Sequence, residues 1–354
     1  MTPKARHQAA ITVLEAMQAE DLAAEQALLR WARGARYAGS KDRAAVRDIV
    51  FDACASGTHA RHWAVGRHRA HALPGCVWPA ASRRRLCLTA PLTRPPLLSD
   101  AERAALAPDA DWPVDVPHWL LPELRDSLGA GFDKAMTLLR QRADLFLRVN
   151  AAVTTPEAAR ASLAAEAILT EPVEDVPGCL RVLENARAVA RSAAYLGGQV
   201  EIQDAASQAV VAALPLAPGM RVLDYCAGGG GKALAMAARL RGPVEAHDAI
   251  ARRMADLPGR AARARADIRL CPRPEGVFDL VLCDAPCSGS GAWRRSPEGR
   301  WRLTPEMLDQ TCALQAQILR DAAPLVAPEG TLAYATCSVL RRENEAIAAQ
   351  SPSR

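Results

Sequence analysis

A doubly wound α/β fold with a mostly parallel sheet is predicted for the C-terminal half of this chain. Three observations predict it: apolar runs of strand length alternate with helical stretches from Ser207 onward, a glycine-rich turn follows the first run, and acids or cysteines stand where the runs end. The expected order is helix, strand 221–224, glycine loop, helix, strand 244–247, helix, strand 268–270, strand 279–283, a long helix 305–325 and strand 331–335. Parallel strands are covered on both faces, and a run such as Leu280-Val281-Leu282 is apolar without alternation for that reason.

Upstream the pattern differs. Residues 143–203 read as a compact α+β module, with strand-like runs 145–149 and 180–183 flanking a helix over 156–167. Residues 1–142 read as a small helical domain: Ile11, Leu14 and Met17, then Leu22, Leu28, Leu29 and Trp31, recur at helical spacing, and Ser40 is the expected N-cap of a helix through Val46, Ile49 and Val50. Leu120, Leu121, Leu124 and Leu128, then Phe132, Met136 and Leu139, continue the helical pattern. Between them it stops. Residues 53–99 hold seven arginines and no Asp, Glu or Lys, with His59, His62, His68, His71, Trp63 and Trp78, and show neither helical nor alternating periodicity. A basic RNA-gripping loop and a His/Cys metal site remain open for this stretch; the reading preferred is that it lies out of the natural frame and packs poorly.

Three domains fit 354 residues better than one hydrophobic core. No apolar run reaches the roughly 18 residues of a membrane span, and residues 1–6 lead into an amphipathic pattern rather than a signal core, so a cytoplasmic protein without a membrane partner is expected. Ten cysteines in a reducing compartment are packed, catalytic or metal-bound rather than disulfide-paired. With no CxxC pair in the chain, no metal is expected. The net charge of +5 is local to residues 53–99, and the remainder carries a slight acidic excess.

Three motifs carry chemistry. Asp224-Tyr225-Cys226-Ala227-Gly228-Gly229-Gly230-Gly231-Lys232 runs from a strand through four glycines into a helix, where a ligand can approach backbone that has no Cβ. Lys232 is followed by alanine, not Ser or Thr, so this is not a phosphate loop holding magnesium. Asp248 ends the next strand, 24 residues after Asp224, where an acid receives the ribose hydroxyls of an adenosine-bearing cofactor. A dinucleotide and a plain flexible turn are the competing readings; S-adenosyl-L-methionine fits the two acids best. The second motif is Asp284-Ala285-Pro286-Cys287-Ser288-Gly289, and the third is Thr336-Cys337-Ser338. A cysteine beside a strand is usually a small buried hydrophobe, but two at the ends of strands flanking one crevice, with an acid, point to a catalytic site.

These motifs resemble the Sun/Fmu family of ribosomal-RNA cytosine-C5 methyltransferases. The first matches the family's D-x-C-A-A-P-G-G-K, with Gly228 and Gly229 standing where Ala and Pro are usual, and the others match D-A-P-C-S-G and T-C-S. Leu147-Arg148-Val149-Asn150 and Gln203-Asp204-Ala205-Ala206-Ser207 are similar to its R-x-N and Q-D-x-x-S segments, and the opening helices to its NusB-like RNA-binding domain. The resemblance implies a Rossmann-like S-adenosylmethionine-dependent methyltransferase domain over 204–354, preceded by an all-α NusB-like domain (1–142) and a small α+β RNA-binding module (143–203).

It further implies RNA as partner, 16S ribosomal RNA first and transfer RNA as the alternative, rRNA processing as the role, and a monomer. Cofactor binding falls to Cys226, Ala227, Gly228, Gly229, Gly230, Gly231, Lys232, Asp248 and Asp284. Cys337 is implied as the nucleophile that adds to carbon 6 of cytosine, since carbon 5 alone is too weak to attack a sulfonium methyl. Asp284 then contacts the base near N3 and Cys287 assists release, with a cation such as Lys232 favouring the Cys337 thiolate. Because the target atom is stacked when paired, the RNA should be single-stranded or flipped. Two departures carry expectations of their own. Strand 268–270 ends at Leu270-Cys271-Pro272, so Asp267 is not assigned to the adenine; and the chain stops at Arg354, before the strands with which the family completes its sheet, so an impaired enzyme or an RNA-binding relative without turnover is an alternative.

Overall fold

The computed structural model describes residues 1–55 and 115–350. The out-of-frame reading of 53–99 and its four histidines therefore lie, apart from residues 53–55, outside the described residues, as does the extreme C-terminus. The described chain divides into two compact units, one of Met1–Arg142 with Ser290–Thr304, the other of Ala143–Gly289 with Pro305–Arg354.

The first unit is helical. Helix Pro3–Glu20 starts at Thr2, whose hydroxyl accepts from the Ala5 amide, with Pro3 in the first turn where its missing N–H costs nothing. Its stripe of Ala10, Val13, Leu14 and Met17 packs against Ala27 and Leu28 of helix Ala24–Gly34 and Val46, Val50 and Cys54 of helix Ser40–Ala55. Ser40 is the first residue of that last helix rather than its cap; the Gly39 carbonyl accepts its first bond, from Arg43. Helices Leu121–Leu128 and Phe132–Leu139 follow, burying Leu120, Leu124, Phe132, Met136 and Leu139.

Segment Ser290–Thr304, although embedded in the C-terminal half of the sequence, belongs to this unit. Its buried Arg300 donates to the carbonyls of Pro297, Asp115 and Leu139, and Trp301 donates to that of Cys54. Glu298 accepts from the Ala24 amide, capping a helix whose own N-cap, Ala23, has no side chain able to do so.

The second unit holds two sheets. Strands β1 (Leu145–Val149), β2 (Thr170–Pro172), β3 (Cys179–Val182) and β4 (Val200–Ile202) form an antiparallel sheet in the order β2-β3-β1-β4. Helix Pro156–Ala165 lies between β1 and β2, and Ala193–Leu196 between β3 and β4, which is a split βαβ arrangement. Leu147, Val149, Leu163, Ile168, Leu180 and Val200 fill its core. Strands β2 and β4 were not expected: at three residues each they are too short to show alternation.

The larger sheet is five-stranded and wholly parallel: β5 (Val222–Asp224), β6 (Val244–Ala246), β7 (Ile268–Leu270), β8 (Phe278–Asp284) and β9 (Val326–Ala335), in the order β7-β6-β5-β8-β9. This is the doubly wound order, and its direction reverses between β5 and β8, so the crevice for ligands opens beyond the C-terminal ends of those two strands. Strand β9 begins five residues earlier than the sequence pattern indicates, since Pro328-Glu329-Gly330 reads as a turn; its register against β8 shifts between Phe278 and Leu280. Clusters around Leu234, Met236, Leu257 and Leu280 on one side, and Leu223, Val281, Leu319 and Ile347 on the other, bury the sheet on both faces.

Candidate active site

Parallel register brings the three motifs to one end of the sheet. Asp224 is aligned with Ala246 of β6 and Leu282 of β8, and Asp284 with Ala335 of β9, so Asp224, Asp248, Asp284, Cys287 and Cys337 all leave the sheet on the same edge. Past β5, the Tyr225 amide donates to Leu282, the Ala227 amide to His247, and the His247 amide to Asp224, which fixes the turn between its two neighbours.

In that turn Gly228 and Gly230 have φ of +52° and +77°, conformations that favour glycine. A Cβ on Gly230 would meet Leu257 Cδ1 at 2.1 Å, whereas one on Gly228 would meet nothing within 4 Å, so the first glycine answers to packing and the second faces open space. Asp248 accepts from the Gly228 amide at 3.0 Å and the Ile250 amide at 2.8 Å. Arg260 donates to the Gly229 carbonyl, pinning the turn where the family usually has proline. Cys226, half-buried beside these acids, has its thiol pushed up to about 12 by burial and is no nucleophile.

Asp224 is almost completely buried, and its Oδ1 has no hydrogen-bond partner. Burial, and next the charge of Asp284, raises its carboxyl to about 7. An orphaned buried carboxylate oxygen under an open glycine cradle, with a second acid at the neighbouring strand end, fits a ligand carrying an ammonium at one end and a diol at the other. S-adenosyl-L-methionine has both. Asp267, by contrast, is exposed and paired with Arg269, and the end of β7 presents the Cys271 carbonyl to His247 Nδ1.

On the other side of the crevice the Cys287 and Cys337 sulfurs are 3.2 Å apart. Cys337 is the exposed member of the pair. The hydrogen bond with Cys287 lowers the Cys337 thiol to about 7; the Lys232 ammonium adds to this, against burial and the Asp284 charge. The same contact pushes Cys287 up, so Cys337 is the more readily ionised thiol of the pair. Lys232 donates to Asp284 Oδ2 at 2.6 Å. All the site residues expected from the motifs thus converge here, with Lys232 joined to Asp284 rather than standing free beside Cys337.

Sequence reasoning missed Glu343. Fully buried, it accepts from the Ser288 amide at 2.8 Å and from the hydroxyls of Ser288 and Ser338, each at 2.5 Å, and Gln315 Nε2 donates to it at 3.1 Å. Asn344 beside it accepts from Thr336 at 2.6 Å and donates to the carbonyls of Ser338 and Leu340. Two adjacent polar residues a few positions beyond the cysteine motif were the available signal.

Comparison with known proteins agrees with this picture. The family described as 16S rRNA methyltransferase RsmB/F matches residues 211–351, and the ferredoxin-like domain described as RsmF/B-like matches 116–190. The protein named ribosomal RNA small subunit methyltransferase B of Xanthomonas campestris is 36% identical over 255 residues, 68% of this chain and 57% of its own length. Its namesake in Salmonella arizonae is 32% identical over 65% of this chain and 56% of its own. The chain thus spans little more than half the length of these curated relatives. Among solved structures, that of NSun6 from Pyrococcus horikoshii with SFG superposes with a TM-score of 0.60 at 16% identity, covering 66% of this chain and 86% of that one, which speaks for the fold alone. With both matched domains, these relatives and three family motifs at one sheet edge, the chain belongs to the Sun/Fmu family, the group of 16S rRNA methyltransferases RsmB/F.

Proposed function

We propose that the protein is an S-adenosylmethionine-dependent RNA cytosine-C5 methyltransferase acting on small-subunit ribosomal RNA. The observation that carries the proposal is the 3.2 Å contact between the Cys337 and Cys287 sulfurs, beside the Asp284–Lys232 pair at the mouth of a doubly wound sheet. Asp224, Asp248 and the turn at 228–231 would hold the cofactor, which supplies an electrophilic methyl group.

The Cys337 thiolate adds to carbon 6 of the cytosine, and the electron pair of the 5,6 double bond is thereby made available at carbon 5. Asp284 meets the N3 and amino edge of the base, and Lys232 holds that carboxylate and offsets its charge, so that negative charge developing on the ring is met by oriented groups. With the methyl group on carbon 5, the carbon 5 proton passes to solvent water, the 5,6 double bond reforms and the carbon–sulfur bond breaks, its electron pair returning to the Cys337 sulfur; the Cys287 S–H assists that release by donating to the departing sulfur. The base is reached from single-stranded or flipped-out RNA.

The test is Cys287→Ala incubated with cofactor and ribosomal RNA. A protein–RNA species that survives denaturation, and that is absent in Cys287→Ala/Cys337→Ala, is expected. Absence of any such species, with RNA still bound, would favour a binding protein without turnover; trapping of transfer RNA in preference would move the substrate.

A further inference from the structure

Neither sulfur in the Cys287–Cys337 pair sits on a regular element. Each lies on a loop two or three residues past its strand, and loops wander unless something ties them. We infer that Glu343 is the tie: a positioning residue that locks the two cysteine-bearing loops together and so sets the sulfur–sulfur contact. The inference rests on the reading of Cys337 as nucleophile.

The geometry is specific. Ser288 is the residue after Cys287 and Ser338 the residue after Cys337, and both hydroxyls donate to the same oxygen, Glu343 Oε2. The two hydroxyl oxygens are 3.3 Å apart. The other oxygen, Oε1, receives the Ser288 amide and Gln315 Nε2, and Gln315 also donates to the Pro286 carbonyl, so the loop is gripped on both sides of Cys287. Asn344 closes the partner loop on itself through Thr336, Ser338 and Leu340, and the Tyr334 hydroxyl donates to the Glu343 carbonyl at 2.7 Å.

Four donors converge on one buried carboxylate, and a carboxylate is the side chain that can accept four bonds while donating none. A glutamine of the same shape replaces one acceptor with an NH₂ group that must face donors. Glu343 touches neither sulfur, so its effect on chemistry passes through the two serines. If the loops part by even an ångström, the hydrogen bond between the two sulfurs is lost, and with it the leading cause of the lowered Cys337 thiol.

The experiment reads Cys337 directly, without RNA or cofactor. Alkylation of the whole chain by iodoacetamide is followed at Cys337 by peptide mass spectrometry as a function of pH. Wild type is expected to show a half-maximal rate near the lowered value of about 7. In Glu343→Gln the midpoint should move up toward the ordinary cysteine range of about 8.5, cutting the Cys337 rate at pH 7 by roughly tenfold. Ser288→Ala/Ser338→Ala, which removes the two hydroxyl donors at little cost in shape, should shift it in the same direction and carries the test if Glu343→Gln does not fold. Ser288→Thr/Ser338→Thr, which keeps both hydroxyls, should retain the wild-type midpoint. An unchanged Cys337 profile in Glu343→Gln and in the double alanine variant, with both folded by thermal melting, would overturn the inference. Because the readout precedes any RNA chemistry, a wild-type midpoint near 7 without methylation would sink the proposed activity and leave the role of Glu343 standing.

Discussion

The two sides of the crevice are built on different principles. The cofactor side is mostly local: Asp224, the glycine turn and Lys232 occupy nine consecutive residues whose geometry follows from strand, turn and helix in order, and only Asp248 is added from the next strand. The thiol side is assembled from afar, since Cys287 and Cys337 are 50 residues apart in sequence and the carboxylate that ties their loops is 55 from Ser288. A local site tolerates drift elsewhere in the chain; a distributed one is only as good as its most distant member.

That contrast can be broken experimentally. Cys337→Ala should abolish turnover by several orders of magnitude while leaving cofactor affinity unchanged in a titration with S-adenosylhomocysteine; loss of both together would mean the two sides are not separable. Asp284→Asn is expected to lower kcat by about 10²–10³-fold, by analogy with removing one oriented group that meets developing charge, and a comparable change in the KM for cofactor alone would shift Asp284 to the other side of the comparison. Gly230→Ala should act in the opposite sense. Its Cβ collides with Leu257 in a left-handed backbone, costing about 1–3 kcal/mol, and would be read as a lower melting temperature and weaker cofactor binding with Cys337 alkylation intact.

The smallest effect belongs to Asp224 and depends on pH. Its folded-state value, about 7, lies above the ordinary aspartate value of 3.8, so the folded protein binds that proton more tightly than the unfolded chain does. The stability this confers is fully present below about 4 and is lost as pH rises through about 7. Melting temperature should therefore fall between pH 5.5 and 8 in wild type, and by several degrees less in Asp224→Asn, which cannot titrate; equal slopes would mean Asp224 is not the buried acid responsible.

Much of this was legible in the residues. The parallel strands announced themselves because burial on both faces demands unbroken apolar runs, and the glycine turn because few other sequences tolerate its backbone. Strands β2 and β4 left no pattern, being held by pairing to β1 and β3 rather than by their own periodicity. Asp284 and both cysteines could be named from their motifs, yet the Lys232–Asp284 pair and the 3.2 Å sulfur contact arise only from register between strands distant in the chain. Glu343 escaped because an acid in the polar run Glu343-Asn344-Glu345 reads as surface, and the four donors that meet it come from residues 288, 315 and 338.

The path of Ser290–Thr304 has a practical corollary. The polypeptide crosses between the two units three times, after Arg142, after Gly289 and after Thr304, so no single cut separates them. An excised fragment beginning at Ala143 would carry this segment without its hosts: Arg300 would lose two of its three carbonyl acceptors and Trp301 the carbonyl of Cys54. Such a fragment would bring a greasy, cationic flap within three residues of Cys287, and failed catalysis in it would report on the flap rather than on the missing helices.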